Sequence, residues 1–167
     1  MQLNPLKFFV VGYGRHGKDT FAEKVWGPGI PSSSMVCAED VAFPVLRDKY
    51  GYKNPQECFD DRHNHRSEWY EAIKEFNTPD LTALSRVIFA KFPVYIGIRN
   101  HEEMLAYAAA ERCLIVWVDR SEVLPPESTE SMTITKDMAD VVIDNNGSLL
   151  YLDIQIERFK RLFQISS

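Results

Sequence analysis

The stretch Phe8–Trp26, FFVVGYGRHGKDTFAEKVW, decides the fold. An aromatic and β-branched run, Phe8 to Val11, stops at Gly12, and a helix-like sequence restarts at Lys18 after Tyr13-Gly14-Arg15-His16-Gly17. That order reads as strand, glycine-rich loop, helix. Gly12, Gly17 and Lys18 match the spacing G-x-x-x-x-G-K of a Walker A phosphate loop, where backbone N–H groups turn inward around a phosphate and the helix N-terminus adds partial positive charge. Lys18 would reach the β- and γ-phosphates. A bare GxG would be an ordinary turn; the strand before, the helix after and the lysine in register favour the phosphate cradle.

The position after the lysine, usually Ser or Thr, is Asp19, and Thr20 follows. A carboxylate beside a triphosphate is tolerable if it holds Mg²⁺, directly or through water, or if it faces away while Thr20 supplies the hydroxyl ligand. Asp19 and Thr20 are therefore the candidate metal residues.

A chain of 167 residues suits one domain, 1–167, with a real core. Its 45% hydrophobic and 26% charged content is that of a globular protein. The N-terminal apolar run is too short for a signal peptide, and no stretch approaches the roughly 20 apolar residues that span a bilayer. The expectation is a cytoplasmic protein without a membrane partner. Cys37, Cys58 and Cys113 are odd in number and widely spaced, which suggests buried thiols and neither a disulfide framework nor zinc. A net charge of −5 argues against gripping long duplex DNA through its phosphates, without excluding a local basic cleft.

Beyond the loop, Gly27-Pro28-Gly29-Ile30-Pro31 ends the first helix. Ser33 to Cys37 reads as a short second strand, and Ala38 to Tyr50 as a helix ended by Gly51. Glu39 and Asp40 would then open that helix near the phosphates, although acidic first-turn residues also simply favour the helix dipole. The segment CFDDRHNHRSEWYEAIKEF places Asp61, His65, Glu68 and Ala72 on one helical stripe, with Arg62 and Arg66 one turn apart beside Trp69 and Tyr70. That surface could clamp an anion and stack on a base; a solvated helix laced with ion pairs is the plainer account. His63 and His65 lack metal-ligand spacing with a third strong ligand.

Leu81 to Phe92 carries helical periodicity, Val94 to Ile98 reads as a strand ending at Arg99, and Glu102 to Arg112 as an alanine-rich helix. P-loop proteins often place a Mg²⁺-binding Asp at the end of such a strand; here Gly97 and Arg99 stand instead. Leu114 to Val118 suits a strand buried on both faces. Asp119 to Asp137, with Pro125-Pro126 and no periodicity, reads as a mobile lid-like loop. Val141 to Ile143 is a last strand, and Ser148 to Phe163 an amphipathic helix capped by Ser148. The expected architecture is α/β: a doubly wound, five-stranded parallel sheet of the P-loop NTPase type.

The stretches GRHGKDT (Gly14–Thr20), YIGIRNHEE (Tyr95–Glu103) and VIDNNGSL (Val142–Leu149) resemble the small P-loop kinases of bacteriophages, the deoxynucleoside monophosphate kinase group. CFDDRHNHRSEW (Cys58–Trp69) with AEDVAFPVLRDKYGY (Ala38–Tyr52) is similar to the subset linked to thymidine hypermodification, the 5-hydroxymethyluracil (5-hmdU) DNA kinases. The resemblance implies a nucleoside-monophosphate-kinase-like fold and ATP-dependent phosphoryl transfer. It also implies that Gly12, Gly14, Arg15, His16, Gly17, Lys18, Asp19 and Thr20 attend ATP and Mg²⁺, and that Arg62, Arg66 and Arg99 face the acceptor. Trp69 and Tyr70 join the acceptor side as stacking surfaces.

Related kinases close arginines over the phosphates, whereas Asp119 to Asp137 offers only Arg120 and Lys136 among Asp119, Glu122, Glu127, Glu130 and Asp137. Either Arg15, Arg62, Arg66 or Arg99 takes over, or the acceptor side stays open. A monophosphate acceptor needs cationic clamps, whereas a hydroxymethyl group starts protonated and gains from a carboxylate base. Asp40, Asp60 and Asp61 are candidates for that base, Asp40 foremost, so Lys18, Asp40 and Arg99 form the expected catalytic set. The favoured expectation is transfer of the ATP γ-phosphate to 5-hydroxymethyl-deoxyuridine in phage DNA, with a base extruded from the strand. The alternatives are a kinase of free deoxynucleoside monophosphates and, from another class, a nucleotide-binding regulatory ATPase.

Overall fold

The opening apolar run forms β1 (Lys7–Val11), an interior strand of the computed structural model, which describes residues 4–30, 33–127 and 132–166. The glycine loop leads into α1 (Lys18–Trp26). A helical stretch follows, made of α2 (Ser33–Cys37), a π-helical turn at Ala38–Ala42 and α3 (Phe43–Tyr50). Next come α4 (Pro55–Asp60), a 3₁₀ turn at Arg62–Asn64, α5 (Arg66–Phe76) and α6 (Ala83–Lys91). The chain ends with β2 (Val94–Ile96), α7 (His101–Ala110), β3 (Cys113–Asp119), β4 (Val141–Asp144) and α8 (Leu149–Leu162).

Every strand pairing is parallel, in the order β2-β1-β3-β4. Phe9 stands opposite Tyr95 on one side and Ile115 on the other, and Val118 opposite Ile143. Because the strands run the same way, the loops after all four emerge at one edge of the sheet, where ligands of open α/β sheets bind. Side chains alternate across the sheet. Phe8 and Val10 pack with Phe21 and Val25 of α1 and with Leu152, Ile156 and Phe159 of α8. Phe9 and Val11 pack on the other face with residues of α2 to α7. Fully burying side chains such as Phe9, Phe21 and Trp117 contributes about 1.5–3 kcal/mol each, which fixes the platform from which the loops project.

Among the described residues the expected five-stranded sheet is corrected to four strands, because Ser33–Cys37 is helical. The buried positions there are Ser33, Val36 and Cys37, followed by Ala38, Val41 and Ala42. That spacing is helical rather than alternating, and no turn residue separates Cys37 from the helix beyond it. The segment Gln56–Phe76 is likewise broken: Asn54 caps α4 by accepting the Glu57 N–H at 3.0 Å, and the chain turns at Arg62–Asn64 before α5. The remaining strands lie where the periodicity puts them, and Ser148 caps α8 by accepting the Tyr151 N–H at 3.2 Å.

Asp119–Asp137, expected as a mobile loop, is tied down on both sides of the four residues that lie outside the described ones. Arg120–Leu124 forms a turn, with the Leu124 N–H donating to the Arg120 carbonyl at 2.9 Å. Met132 and Ile134 are buried in the larger core, and between them the Thr133 N–H donates to the Arg99 carbonyl at 3.0 Å. Among the described residues, no helix is long and apolar enough to cross a membrane.

Candidate phosphate-loop site

The loop from Gly12 to Gly17 leaves the centre of the sheet under tight constraint. Gly12 has φ +147°, and a Cβ there would lie 2.5 Å from the Val118 carbonyl oxygen. Gly17 has φ +95°, and its Cβ would lie 2.4 Å from Asn145 Nδ2. Both positions therefore need glycine for backbone conformation and for space. Arg15 also sits in the left-handed region, at φ +66°. The first turn of α1 has no side-chain cap, so its N–H groups are left for a ligand.

The loop is held from behind by residues distant in sequence. His16 is fully buried; its Nδ1 accepts the Arg120 N–H at 2.9 Å, and its carbonyl accepts from Asn145 Nδ2 at 2.9 Å. Nδ1 as acceptor assigns the ring proton to Nε2. Burial pushes the imidazole below its ordinary value, against the pull of Asp119. The Tyr13 ring stands edge-on to Trp117, with centroids 5.2 Å apart, and 5.5 Å from the His16 ring. His16, expected to contact ATP, thus turns its side chain into the protein; its role is to shape the loop. Arg15 remains exposed.

Lys18 Nζ donates to the Tyr13 carbonyl at 2.9 Å, folding the side chain back over the loop. Burial and then the nearby Arg99 push this ammonium below the usual lysine value, while Asp19 and Glu127 oppose the shift. An anion seated there would relieve both pressures. Gly97 follows β2 with φ +84°, and its Cβ would lie 4.0 Å from Lys18 Cε. The position where a metal-binding acid is often found thus faces the lysine stem, in a backbone conformation that favours glycine.

Arg99 joins this group. Its guanidinium grips the Glu127 carboxylate, and Asn100 caps α7 by accepting the Glu102 and Glu103 N–H groups at 2.9 and 3.1 Å. Asp119, buried at the end of β3, is opposed by burial, yet its hydrogen bonds from Ser121 and Lys136 hold it below the ordinary carboxylate value. The Asn145 N–H donates to the Asp119 carbonyl at 2.7 Å, and Asn146 Nδ2 reaches Asp119 Oδ2 at 3.4 Å.

On the expected acceptor side, Arg62 stacks 3.9 Å from the Phe59 ring and donates to the Phe59 carbonyl at 2.8 Å. Burial lowers its pKa; Asp60 opposes this, Arg66 adds to it, and the Asp19 carboxylate of the loop again opposes it. Arg66 is exposed, with Nη2 3.4 Å from His63 Nδ1. Asp61, His65 and Glu68 do meet: His65 lies 3.0 Å from Asp61 and 3.3 Å from Glu68, stacked on Tyr50 at 4.0 Å.

Trp69 is placed elsewhere, and Asp40 has a partner of its own. Trp69 is 7% exposed and packs in the larger core, so it offers no stacking face, whereas Tyr70 is exposed. The next residue along a helix turns by about 100°, and the apolar face of α5 takes Trp69. Asp40 is ion-paired to Lys91 at 3.0 Å, and among the described residues no hydrogen bond or ion pair joins either of them to the loop. The π-helical turn around Asp40 is continuous with the helices on either side, so Asp40 is not the first-turn acid that a preceding strand would have made it. All three cysteines are free; burial raises Cys37 to about 12 and Cys113 to about 11, which leaves them as thiols.

Asp19 and Thr20 are exposed on the first turn of α1 and present hard oxygen donors, as Mg²⁺ requires. Among the described residues no group of three His, Cys, Asp or Glu could hold a metal alone. That donor set fits an ion carried in by a phosphate ligand. Sequence reasoning missed Tyr13, Asn145 and Glu127. The signal for Asn145 was its place after the last strand, at the edge where all the loops meet. Comparison of the chain with protein-family models, curated proteins and solved structures gave no match.

Proposed function

We propose that this chain is an ATP-dependent phosphotransferase whose acceptor is the hydroxymethyl group of 5-hydroxymethyl-deoxyuridine in DNA. The donor half rests on the loop: an uncapped helix start, a half-buried Lys18 and Arg99 converge beside Gly14, a set suited to the charge of a triphosphate. Lys18 would neutralise the phosphate oxygens, and Arg99 the charge that gathers on the transferring group. Asp19 and Thr20 would hold Mg²⁺ on the outer side, where it would screen the phosphates.

The observation that carries the acceptor half is the sign of what crosses the loop. The described part of the 119–137 strap presents the Glu127 carboxylate to Gly14, whereas the Arg120 guanidinium is turned to the Asn145 carbonyl at 3.3 Å and Lys136 to Asp119 at 3.2 Å. With Arg120 and Lys136 turned away, the described strap offers no cationic clamp to a dianionic monophosphate, whereas a neutral hydroxyl needs none. The exposed Tyr70 leaves one ring for stacking on an extruded base.

A second reading, a kinase of free deoxynucleoside monophosphates, is favoured by Arg62 and Arg66, two guanidinium groups at one corner of the kind that clamps a phosphate. Incubation with γ-labelled ATP and either hydroxymethyluracil-containing DNA or a panel of free deoxynucleoside monophosphates separates the two. Label in the DNA is expected, and label in the free nucleotides alone selects the second reading. Steady ATP hydrolysis with no labelled acceptor would point to a regulatory ATPase.

A further inference from the structure

Glu127 holds a set of partners that suits a phosphate. Its Oε1 accepts the Gly14 N–H, and Arg99 reaches Oε2 through Nη1 and Oε1 through Nη2, the latter at 3.3 Å. Lys18 is near enough for the Glu127 charge to favour its ammonium form. A Cβ on Gly14 would stand 2.8 Å from Oε1, so a glycine is what lets the carboxylate approach the backbone.

The strap that carries Glu127 is anchored on either side of it. Upstream, the Arg120 N–H is bonded to His16 and Asp119 is paired with Lys136. Downstream, Met132 and Ile134 are buried, and Thr133 bonds to the Arg99 backbone through its N–H and its hydroxyl. The carboxylate is therefore delivered to the loop by packing at both ends rather than by a lone surface contact.

Resting on the reading of the loop as a phosphate seat, we infer that Glu127 is an internal competitor for that seat, which a triphosphate must expel from Gly14 and Arg99 in order to bind. Two anions cannot share one N–H and one guanidinium fork in a partly buried site without strong repulsion. Apparent affinity then falls by the fraction of chains in which the seat is open. Arg99 passes to the phosphates only once the ligand has arrived, which withholds one of the two seat cations from an empty loop.

The test is calorimetric titration with inorganic triphosphate of the wild-type chain and of E127Q, E127A and K18A. Removing the charge, with or without the side chain's bulk, is expected to tighten binding about tenfold, since a charged hydrogen-bonded competitor is lost. If E127Q and E127A bind no tighter than wild type while K18A binds more weakly, the competitor is disproved and the phosphate seat stands. If none of the four chains binds, the phosphate-seat reading itself falls, and this inference with it.

Discussion

Asn145 Nδ2 donates to the His16 carbonyl oxygen at 2.9 Å, joining the turn after the last strand to the glycine loop after the first. Asn145 is also the group against which a side chain at Gly17 would collide. One amide thus fixes both the direction of the His16 carbonyl and the closest approach of Gly17.

Asn145→Ala should therefore lower stability by about 1–3 kcal/mol, the range for leaving a buried acceptor unsatisfied. Denaturant unfolding reads the loss. Triphosphate affinity should fall with it, because the loop is no longer held from behind; a destabilised variant with unchanged affinity would mean that the loop keeps its shape unaided.

Gly97 sits at φ +84° with open contact to Lys18. Gly97→Ala should lose about 1–2 kcal/mol through backbone strain alone, since the left-handed region disfavours a Cβ. Gly97→Asp should lose a similar amount and also weaken triphosphate binding, because its carboxylate would compete for the Lys18 ammonium. Equal binding by the two variants would show that position 97 does not reach the seat.

His16 titrates below its ordinary 6.5 because burial disfavours the imidazolium. The sign follows from linkage: above pH 6.5 both folded and unfolded forms are neutral and stability is complete. As pH falls below 6.5 the unfolded chain takes up the proton first, so stability declines towards the lowered folded value. His16→Asn, which keeps an acceptor near the Nδ1 position, should flatten this acid limb of melting temperature against pH. An unchanged limb would assign the sensitivity to other groups.

Arg62→Ala and Arg66→Ala should raise KM for the acceptor several-fold and leave KM for ATP nearly unchanged, as steady-state kinetics with each substrate varied will show. Arg62→Ala should also cost stability, because its guanidinium packs on Phe59. Effects confined to ATP would detach this corner from the acceptor.

The geometry of the glycine loop was legible because it is written locally. Strand, glycine spacing and lysine lie within one short stretch, and the physics of the loop needs those residues in that order. The second strand was misread because Ser33–Cys37 is short, and its apolar residues fit either period until the helix beyond it is seen to be continuous. Trp69 was misplaced for a related reason: the sequence tells which residues can act, whereas the core around α5 decides which are free to. The contacts from Asn145 to His16 and from Glu127 to Gly14 close long chain separations. They follow from strand order, which no local pattern contains.

Lys18 is the residue on which the account turns, since it folds over the loop to the Tyr13 carbonyl and lies under the influence of both Arg99 and Glu127. The most direct measurement is single-turnover transfer of label from γ-labelled ATP to hydroxymethyluracil-containing DNA, by the wild-type chain and by Lys18→Ala shown to be folded by circular dichroism. The account predicts labelled DNA with the first and none detectable with the second. Near-wild-type transfer by folded Lys18→Ala would contradict it.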